Sequence, residues 1–529
     1  MSQFDGVAMG VADNSKRTKI DISLALIAFY FFVLLVSVGV RFAELTETGI
    51  WLDEAFSLLL SMKPPSEILF HTARDVHPPL YYLMLHEWIK VFGNGAFAAR
   101  SLSVFFGVVS VALGIWLSHL LLPRRAAMLA SILLAIFPAA VRYSQEVRMY
   151  SFLGALMLGA TIAFIYWLDR PQSKVPLALY ILLMVAGLYT HYFAALCLLS
   201  HWAYISLLAT SRQIKYKYLW SRSWWLANGL IVICFLPWLP SLLNQLTYSR
   251  LDWIAQPGIK ELVELTWFFL NFSEGQQVPV WGFYGLALVV WIASVFICLW
   301  DASERKNNAL LVVYVWCPIA AIMLVSLFWP LLYPRYFLFA GLALPLVIAM
   351  ALEGVSTRSK SAFVIGLSAV ILLELNGLWH VYNKTCTWCY ENNQLGALAD
   401  YVDHTSQPGD GVLVLEPFMH LSMIYYLKSE RPAMQYTPIN ADGTSGRPNG
   451  YQISTLIQDR ADQIYVDDLE SLTTASGRLW LIDAQDRGTL TRKLPAHWQL
   501  LGTYRVGKEK AQLMAICPLA SGCQKPPLQ

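Results

Sequence analysis

Two adjacent carboxylates, Asp53 and Glu54, stand in the segment Trp51-Leu-Asp-Glu-Ala-Phe-Ser57. A carboxylate held near a low-dielectric surface has its charged form disfavoured, so its basicity rises and it is suited to take a proton from a hydroxyl group. Carboxylates also bind divalent cations, which act as Lewis acids. Taken alone, the pair is explained equally well as a solvated loop that carries two acids.

A second segment, Tyr143-Ser-Gln-Glu-Val-Arg-Met-Tyr150, begins with Tyr143 and carries Glu146 and Arg148. A structural explanation is also available, because Glu146 is able to pair with Arg142 or Arg148. If both acid-bearing segments lie on one side of a membrane, as argued below, a shared site is favoured, since charges there are costly unless they are used or paired.

A third segment has the chemistry to bind a phosphate. Asp75 and His77 precede Pro78-Pro79, and proline is tolerated in the first turn of a helix, here the turn that holds Tyr81. A helix N-terminus favours anions, and a histidine there donates to a phosphate oxygen. A histidine hydrogen-bonded to water is the plainer explanation.

Two further basic side chains lie near predicted span ends. His191 stands in Thr-His-Tyr-Phe and Arg335 in Tyr-Pro-Arg-Tyr. A lone histidine in this position is more often structural than catalytic. Arg335 is suited to a phosphate contact, although snorkelling toward lipid headgroups explains it nearly as well.

The composition indicates the setting for these residues. Of 529 residues, 57% are hydrophobic and only 14% are charged, whereas soluble domains carry about 25% charged residues. A net charge of +3 argues against a nucleic-acid surface. Because a helix needs about 20 apolar residues to cross a bilayer, about eleven spans are predicted, at 22–42, 99–121, 126–141, 149–168, 176–193, 195–210, 224–243, 280–300, 309–329, 336–352 and 361–379.

Lysine and arginine in alternate loops predict the orientation, because such loops stay cytoplasmic. Residues 1–21 are then cytoplasmic, 22–379 form the transmembrane domain, and 380–529 lie outside the cytoplasm. A span at 78–92 would break the alternation, so this stretch is predicted to be a juxtamembrane helix within the first outer loop, 43–98. On this topology all the candidate residues share one face of a multi-pass plasma (inner) membrane protein.

The tail 380–529 is more polar and differs in its pattern. The runs PGDGVLVLEP and GRLWLIDAQ predict strands, and ENNQLGALADYVDH predicts an amphipathic helix, so we expect a small α/β domain. Four cysteines of the tail are candidates for disulfides in an oxidising compartment, with zinc as the alternative for the first two; these are Cys386, Cys389, Cys517 and Cys523.

Several motifs together resemble those of a known family: WLDEAFS, the D-x-HPPLYY stretch, AARSLS, YSQEVRMYS and LYTHYFA. They look like the bacterial C-type (GT-C) membrane glycosyltransferases of the protein-O-mannosyltransferase-like group, whose relatives include the lipid A aminoarabinose transferases and rhizobial galacturonosyltransferases. The resemblance is strong over about 45–200 and faint in the tail.

The resemblance implies transfer of a sugar from a polyprenyl-phosphate donor to a glycan, lipid or protein acceptor on the non-cytoplasmic face. It implies that Asp53 is the catalytic or metal-associated carboxylate and that Glu146 matches the acidic position of the second outer loop, where many relatives have Asp. His77 stands where several relatives place a lysine that contacts phosphate. This departure leaves the phosphate ligand open.

Two reaction schemes remain open at this stage. In the simpler one, Asp53 is the base of a single displacement with inversion, and Arg148, His77 and Arg335 bind the phosphate. In the other, Asp53, with Glu146, holds a divalent metal ion, and Glu54 or Glu146 is the base. The spans between them are expected to form a lipid-lined groove for the prenyl chain.

Two other functions are alternatives. A flippase or transporter of lipid-linked sugars would place charges in mid-membrane and show paired halves. A surface-glycan ligase or polymerase would rely on basic residues in a large outer loop.

Overall fold

The computed structural model describes residues 24–210, 218–248, 254–272, 279–300, 305–385, 394–428, 432–440, 442–474, 476–484 and 494–516. The predicted cytoplasmic segment 1–21 and the four tail cysteines, Cys386, Cys389, Cys517 and Cys523, lie outside these residues. In chain order the helices are α1 (Leu24–Phe42), α2 (Leu52–Ser61), α3 (Pro65–Thr72), α4 (Leu80–Phe92), α5 (Ala96–Leu121), α6 (Arg124–Ile136), α7 (Pro138–Ser144), α8 (Tyr150–Asp169), α9 (Lys174–Leu188), α10 (Ala194–Thr210), α11 (Arg222–Phe235), α12 (Leu239–Tyr248), α13 (Ile259–Leu270), α14 (Val280–Trp300), α15 (Arg305–Val325), α16 (Leu338–Gly341), α17 (Leu344–Ser356), α18 (Lys360–Tyr382), α19 (Leu395–Thr405), α20 (Pro417–Tyr426) and α21 (Ala461–Ile464).

Among the described residues, seven helices are long and apolar enough to cross a membrane, or nine if each of two bent pairs counts as one span. Two shorter apolar helices, α9 and α10, have 15 and 17 residues. The seven long helices, the two bent pairs and the two shorter helices are eleven segments, one for each predicted span. The chain is therefore a multi-pass membrane protein.

One bent pair, α6 and α7, turns by 45° where α7 begins at Pro138. The bend has a local cause, because proline lacks an N–H donor and pushes the residue before it out of the helical region. Phe137 accordingly has φ −57° and ψ 111°. The second part of the pair ends at Ser144, two residues before Glu146.

Helix α8 is the centre of the bundle. Its apolar window is 83% buried, compared with 22% for α1 and 17% for α18, which face lipid. The first residue of α8 is Tyr150, so the most enclosed helix begins where the second acid-bearing segment ends.

Three short helices fill the first outer loop. Helix α4 has 13 residues, begins after Pro79 and ends at Gly93, whose φ of 89° is the left-handed conformation that glycine adopts readily. It is too short to span a bilayer. The structure thus agrees with a juxtamembrane helix rather than a twelfth span.

The tail forms one six-stranded sheet in the order β3-β2-β1-β4-β6-β5, of which the first four strands are parallel. Val412 and Trp480 pack under α19 and α20, whereas Leu413 and Leu481 face the opposite core. Residues Gly411–Val414 and Arg478–Ala484 are mostly buried because both faces of this part of the sheet are covered, whereas Gln499–Val506, at one edge, is mostly exposed. The expected small α/β fold is confirmed, with strands β1 (Gly411–Val414), β2 (Ala433–Tyr436), β3 (Tyr465–Val466), β4 (Arg478–Ala484), β5 (Gln499–Val506) and β6 (Glu509–Ala515).

The sheet domain rests on the first outer loop. Helix α20 packs against α2, and the Gln452 N–H donates to the Arg74 carbonyl at 2.8 Å. His71 Nδ1 lies 3.0 Å from Thr455 Oγ1. The helix that carries Asp53 is therefore enclosed between the bundle and the tail domain.

Candidate active site

Asp53 lies in the first turn of α2, after the extended residue Trp51. Its Oδ2 atom is 3.0 Å from Arg335 Nη2 and 3.9 Å from Arg148 Nη2. Arg148 also reaches the Asp53 carbonyl and Ser57 Oγ, at 3.5 and 3.4 Å. Three segments separated by many residues along the chain thus meet at one carboxylate.

The charge state of Asp53 follows from these neighbours. Burial raises the pKa of its carboxyl, but Arg148, Arg335 and His77 together lower that pKa by more than burial raises it. The pKa of Asp53 is therefore below the ordinary value. Asp53 is consequently ionised at neutral pH.

Aromatic rings surround the Arg335 guanidinium. Its Cζ atom lies 4.8 Å from the ring centre of Tyr333, 5.7 Å from those of Trp51 and Tyr150, and 6.0 Å from that of Tyr336. Ring faces attract a cation, so this shell holds a fixed positive charge beside Asp53. The sequence reasoning identified Arg335 but missed this aromatic shell, because its members come from different segments.

Glu54 faces away from this site. Both of its oxygens accept hydrogen bonds from Arg100, at 2.8 and 2.6 Å, and Oε1 also accepts from the Val147 N–H at 2.9 Å. Arg100 donates further to the carbonyls of Leu45, Thr48 and Gly49. This geometry favours a positioning role for Glu54 over the catalytic one that was predicted.

Arg100 was also missed as a site residue. It stands in the AARSLS motif, yet nothing in the spacing of that motif indicates a partner 46 positions earlier.

Glu146 pairs within its own segment, as the structural explanation proposed. Its Oε1 is 2.6 Å from Arg142 Nη2. Burial raises the pKa of Glu146; Arg142 lowers it and the nearby Glu54 raises it, with a net upward shift. Glu146 lies at the same end of the bundle as Asp53, but its bound oxygen points to Arg142.

His77 and His191 meet beside the two arginines. Their ring centres are 5.3 Å apart, and His77 Nδ1 is 3.4 Å from Asp75 Oδ2. Burial lowers the pKa of His77, and burial together with His77, Arg148 and Arg335 lowers that of His191 well below its ordinary value. Both imidazoles are therefore neutral near pH 7.

The remaining candidates lie in the same region. Tyr143 packs edge-on against Tyr150, with ring centres 5.3 Å apart, and Tyr81 is buried next to Tyr82. The Leu80 N–H, at the start of α4, donates to the Tyr189 carbonyl. One of the N-terminal donors expected to attract an anion is thus already used.

A metal site on Asp53 and Glu146 was predicted. Within the described ranges, no three His, Cys, Asp or Glu residues are grouped to hold a metal ion. Asp53 faces two guanidiniums, and Glu146 is occupied by a third. These side chains do not fit a metal ion held by protein ligands, so the chemistry below is derived from the arginines.

Residues 76–240 match a family model described as Dolichyl-phosphate-mannose-protein mannosyltransferase. No curated protein sequence matches the chain. Among solved structures, ArnT from Cupriavidus metallidurans in the apo state aligns with a TM-score of 0.63 at 13% identity, covering 94% of this chain and 99% of that one. The same protein bound to undecaprenyl phosphate aligns with a TM-score of 0.61 at 13% identity and the same coverage.

The archaeal oligosaccharyltransferase AglB from Archaeoglobus fulgidus, in complex with an inhibitory peptide and a dolichol-phosphate, aligns with a TM-score of 0.53 at 11% identity. That alignment covers 86% of this chain and 69% of AglB. At such identities the likeness shows the fold. The chain has the GT-C membrane glycosyltransferase fold, and the resemblance identified from its motifs is confirmed at that level.

Proposed function

We propose that this protein transfers a sugar from a polyprenyl-phosphate donor to a hydroxyl group of an acceptor on the non-cytoplasmic face of the membrane. The observation that carries the proposal is the Asp53 carboxylate held 3.0 Å from Arg335 and 3.9 Å from Arg148. A base and two cations at one end of a lipid-embedded bundle are what this reaction needs.

The two arginines are suited to bind the donor phosphate. Guanidiniums form short, charge-assisted hydrogen bonds to phosphate oxygens, often in pairs. His191 accepts the Phe193 N–H at Nδ1, so its neutral ring carries the proton on Nε2 and adds one N–H donor without further charge. The single N–H of neutral His77 is directed at the Asp75 carboxylate, so His77 orients the site rather than donating to the phosphate. The ring shell of Arg335 keeps one guanidinium in place before the lipid arrives.

Bond making and bond breaking then balance as a single displacement. The acceptor oxygen attacks the anomeric carbon, the bond from that carbon to the phosphate oxygen breaks, and its electron pair stays on the polyprenyl phosphate. The acceptor proton passes to Asp53. Arg148 and Arg335 stabilise the negative charge that develops on the phosphate.

Donor binding changes the basicity of Asp53. In the free protein its carboxylate shares Arg148 and Arg335, which lower its pKa. A bound phosphate competes for the same guanidiniums, so the pKa of Asp53 rises when the donor arrives. The base is therefore strengthened when a donor is present.

The non-cytoplasmic location of the site is supported by the basic loops. Arg124 and Arg125 begin α6, whereas the turn with Glu146 follows α7 at the other end of that bent pair. Arg358 and Lys360 lie where α17 ends and α18 begins, whereas Arg335 precedes α16. Short loops rich in lysine and arginine stay in the cytoplasm. The candidate residues lie at the alternate helix ends.

A flippase is the alternative of a different class. Most of the buried charged groups in the described ranges meet at the Asp53 end of the bundle, but Glu374 is fully buried within α18. A transporter is expected to place several charges in mid-membrane, whereas Glu374 is a single acid in a helix that is mostly exposed at the bundle surface. This one residue does not favour transport.

Purified protein in lipid nanodiscs, supplied with radiolabelled polyprenyl-phosphate hexoses and pentoses and with glycolipid acceptors, tests the proposal. We expect transfer by the wild type and at least a hundredfold lower transfer by Asp53→Asn. Glu87→Gln, at an exposed site, is the control variant. Unimpaired transfer by Asp53→Asn would remove the mechanism, and lipid-linked sugar movement without transfer would favour the flippase.

A further inference from the structure

An apolar groove runs along the lipid-facing side of α14, and the proposed reaction does not use it. Its volume is about 390 Å³, which lies within the range of about 300–1,000 Å³ that is typical of ligand sites. The residues that line this surface, which we name the α14 groove, are Trp291, Ile292, Val295, Phe296 and Leu299.

The α14 groove has about the depth of one membrane leaflet. Trp291 and Leu299 are eight residues apart on one helix, which is about 12 Å at a rise of 1.5 Å per residue. One leaflet contributes about 15 Å of a hydrocarbon core that is about 30 Å thick. Ile292, Val295 and Leu299 are 57%, 58% and 70% exposed, so the groove opens toward lipid. These dimensions match one acyl chain of a single leaflet.

A guanidinium marks the headgroup end of the α14 groove. Arg358 Cζ lies 5.3 Å from the ring centre of Phe296, and the Arg358 side chain is exposed at the turn between α17 and α18. The ring attracts the cation, and an arginine near a helix end reaches the lipid headgroups. A positive charge thus lies over one end of an apolar channel.

The first turn of α18 adds further groups that attract an anion. Its first residue, Lys360, is exposed. Ser359 Oγ accepts the Ala362 N–H at 3.2 Å, whereas the N–H groups of Lys360 and Ser361 have no acceptor within the helix because they precede its first hydrogen-bonded turn. The N-terminus of a helix favours negative charge. A phosphate beside Arg358 would therefore also be attracted by the start of α18.

This end of the bundle is opposite to the Asp53 site. Arg335 lies at the start of the bent span formed by α16 and α17, and Arg358 follows the end of that span. The described charges of the turn, Glu353, Arg358 and Lys360, sum to +1. Short basic loops stay in the cytoplasm, and anionic lipids of the cytoplasmic leaflet attract basic residues next to a transmembrane helix.

We propose that the α14 groove binds an anionic phospholipid of this leaflet. One acyl chain lies along the groove, and the phosphate contacts Arg358 and the first turn of α18. This lipid is separate from the sugar donor, whose phosphate is proposed to bind Arg335 at the other end of the bundle. Because the lipid contacts both α14 and the turn between α17 and α18, it stabilises the folded protein.

Native mass spectrometry of delipidated protein tests the inference with two probes, phosphatidylglycerol and phosphatidylcholine that carry the same acyl chains. We expect the first phosphatidylglycerol to bind the wild type at least tenfold more tightly than the first phosphatidylcholine. Arg358→Ala should weaken phosphatidylglycerol binding about tenfold or more, because a charge-assisted contact is lost. Arg125→Ala is the matched control, since Arg125 is an exposed arginine in the first turn of α6 and should bind phosphatidylglycerol like the wild type.

A second variant tests the groove itself without removing a charge. Val295→Trp fills the groove from a lipid-exposed position and should weaken phosphatidylglycerol binding about tenfold or more. Val289→Trp is its control, because Val289 is 63% exposed on the same helix and does not line the groove.

Three results would overturn the inference. These are equal affinity for the two phospholipids, unchanged phosphatidylglycerol binding in Arg358→Ala or Val295→Trp, and a preference of this site for undecaprenyl phosphate, which would assign the groove to the donor lipid. Sugar transfer is not a readout of these experiments. The inference therefore stands or falls separately from the proposed function.

Discussion

The hydroxyl of Tyr426, in the tail domain, lies 2.6 Å from the backbone nitrogen of Ile50, three residues before Asp53. The donor is the Ile50 N–H, and Ile50 is fully buried. A residue of the tail domain thus holds the segment that leads into the catalytic turn.

Removing this hydroxyl should loosen the turn. Tyr426→Phe keeps the ring and loses one hydrogen bond, whose net contribution to stability is about 0.5–1.5 kcal/mol. We expect transfer to fall several-fold, with a small decrease in the free energy of unfolding. Steady-state kinetics and thermal denaturation in nanodiscs measure both. Tyr425→Phe, in the neighbouring position, is the control, because its hydroxyl contacts the Asn94 carbonyl instead. Equal activity of Tyr426→Phe and wild type would show that the tail does not position Asp53.

Breaking the pair of Glu54 and Arg100 should destabilise the protein more than any surface change. Both side chains are at most 1% exposed, and removal of one partner of a buried ion pair costs about 3–5 kcal/mol because the other charge is left uncompensated. We expect Glu54→Gln and Arg100→Met to lower thermal stability strongly.

The double variant Glu54→Gln with Arg100→Met completes a mutant cycle for this pair. It should recover part of the stability that either single variant loses. If Glu54→Gln instead remains as stable as wild type and loses transfer as fully as Asp53→Asn, Glu54 has a catalytic role.

Arg335 should determine donor affinity. Arg335→Ala removes a charge-assisted contact worth about 1.5–3 kcal/mol, so binding of undecaprenyl phosphate should weaken about tenfold to a hundredfold. Arg335→Lys should restore little of it, because an ammonium lacks the planar fork of guanidinium and stacks less well on rings. Filter binding with radiolabelled undecaprenyl phosphate measures the affinity. Full rescue by lysine would argue against the ring shell as a positioning device.

The pH dependence should separate the free protein from the donor complex. A base with a lowered pKa stays ionised until the pH falls below its ordinary value, so kcat/KM should hold down to about pH 4. The acid limb of kcat should lie at higher pH, since bound phosphate competes for the arginines of Asp53.

Titration of the two histidines should not contribute to these pH profiles. The pKa values of His77 and His191 are below the ordinary histidine value, so neither should titrate between pH 7 and 8. Identical acid limbs for kcat and kcat/KM would contradict the competition between phosphate and Asp53.

Much of the architecture was predictable from local pattern. Long apolar runs identify spans wherever backbone hydrogen bonds must be satisfied inside lipid, and all eleven predicted runs have helices. Short apolar runs bounded by Gly, Pro and Asp identified β1 and β4 in the tail. The short, interrupted run at 78–92 was correctly placed outside the span count.

The candidate residues were also identified by type. Four loops supply Asp53 with His77, Arg148, His191 and Arg335, and these side chains lie together. Local motifs sufficed here because charged residues beside apolar runs are rare and therefore informative.

Tertiary structure alone decided what each acid does. Asp53 and Glu54 are adjacent in the chain, yet one faces Arg335, 282 positions later, and the other faces Arg100. Adjacent residues on a helix point about 100° apart, so their partners depend on which distant helix packs against each side. The amino-acid sequence by itself determined the spans, the shared end of the bundle and the residue types; the pairing of charges arose only when the helices packed.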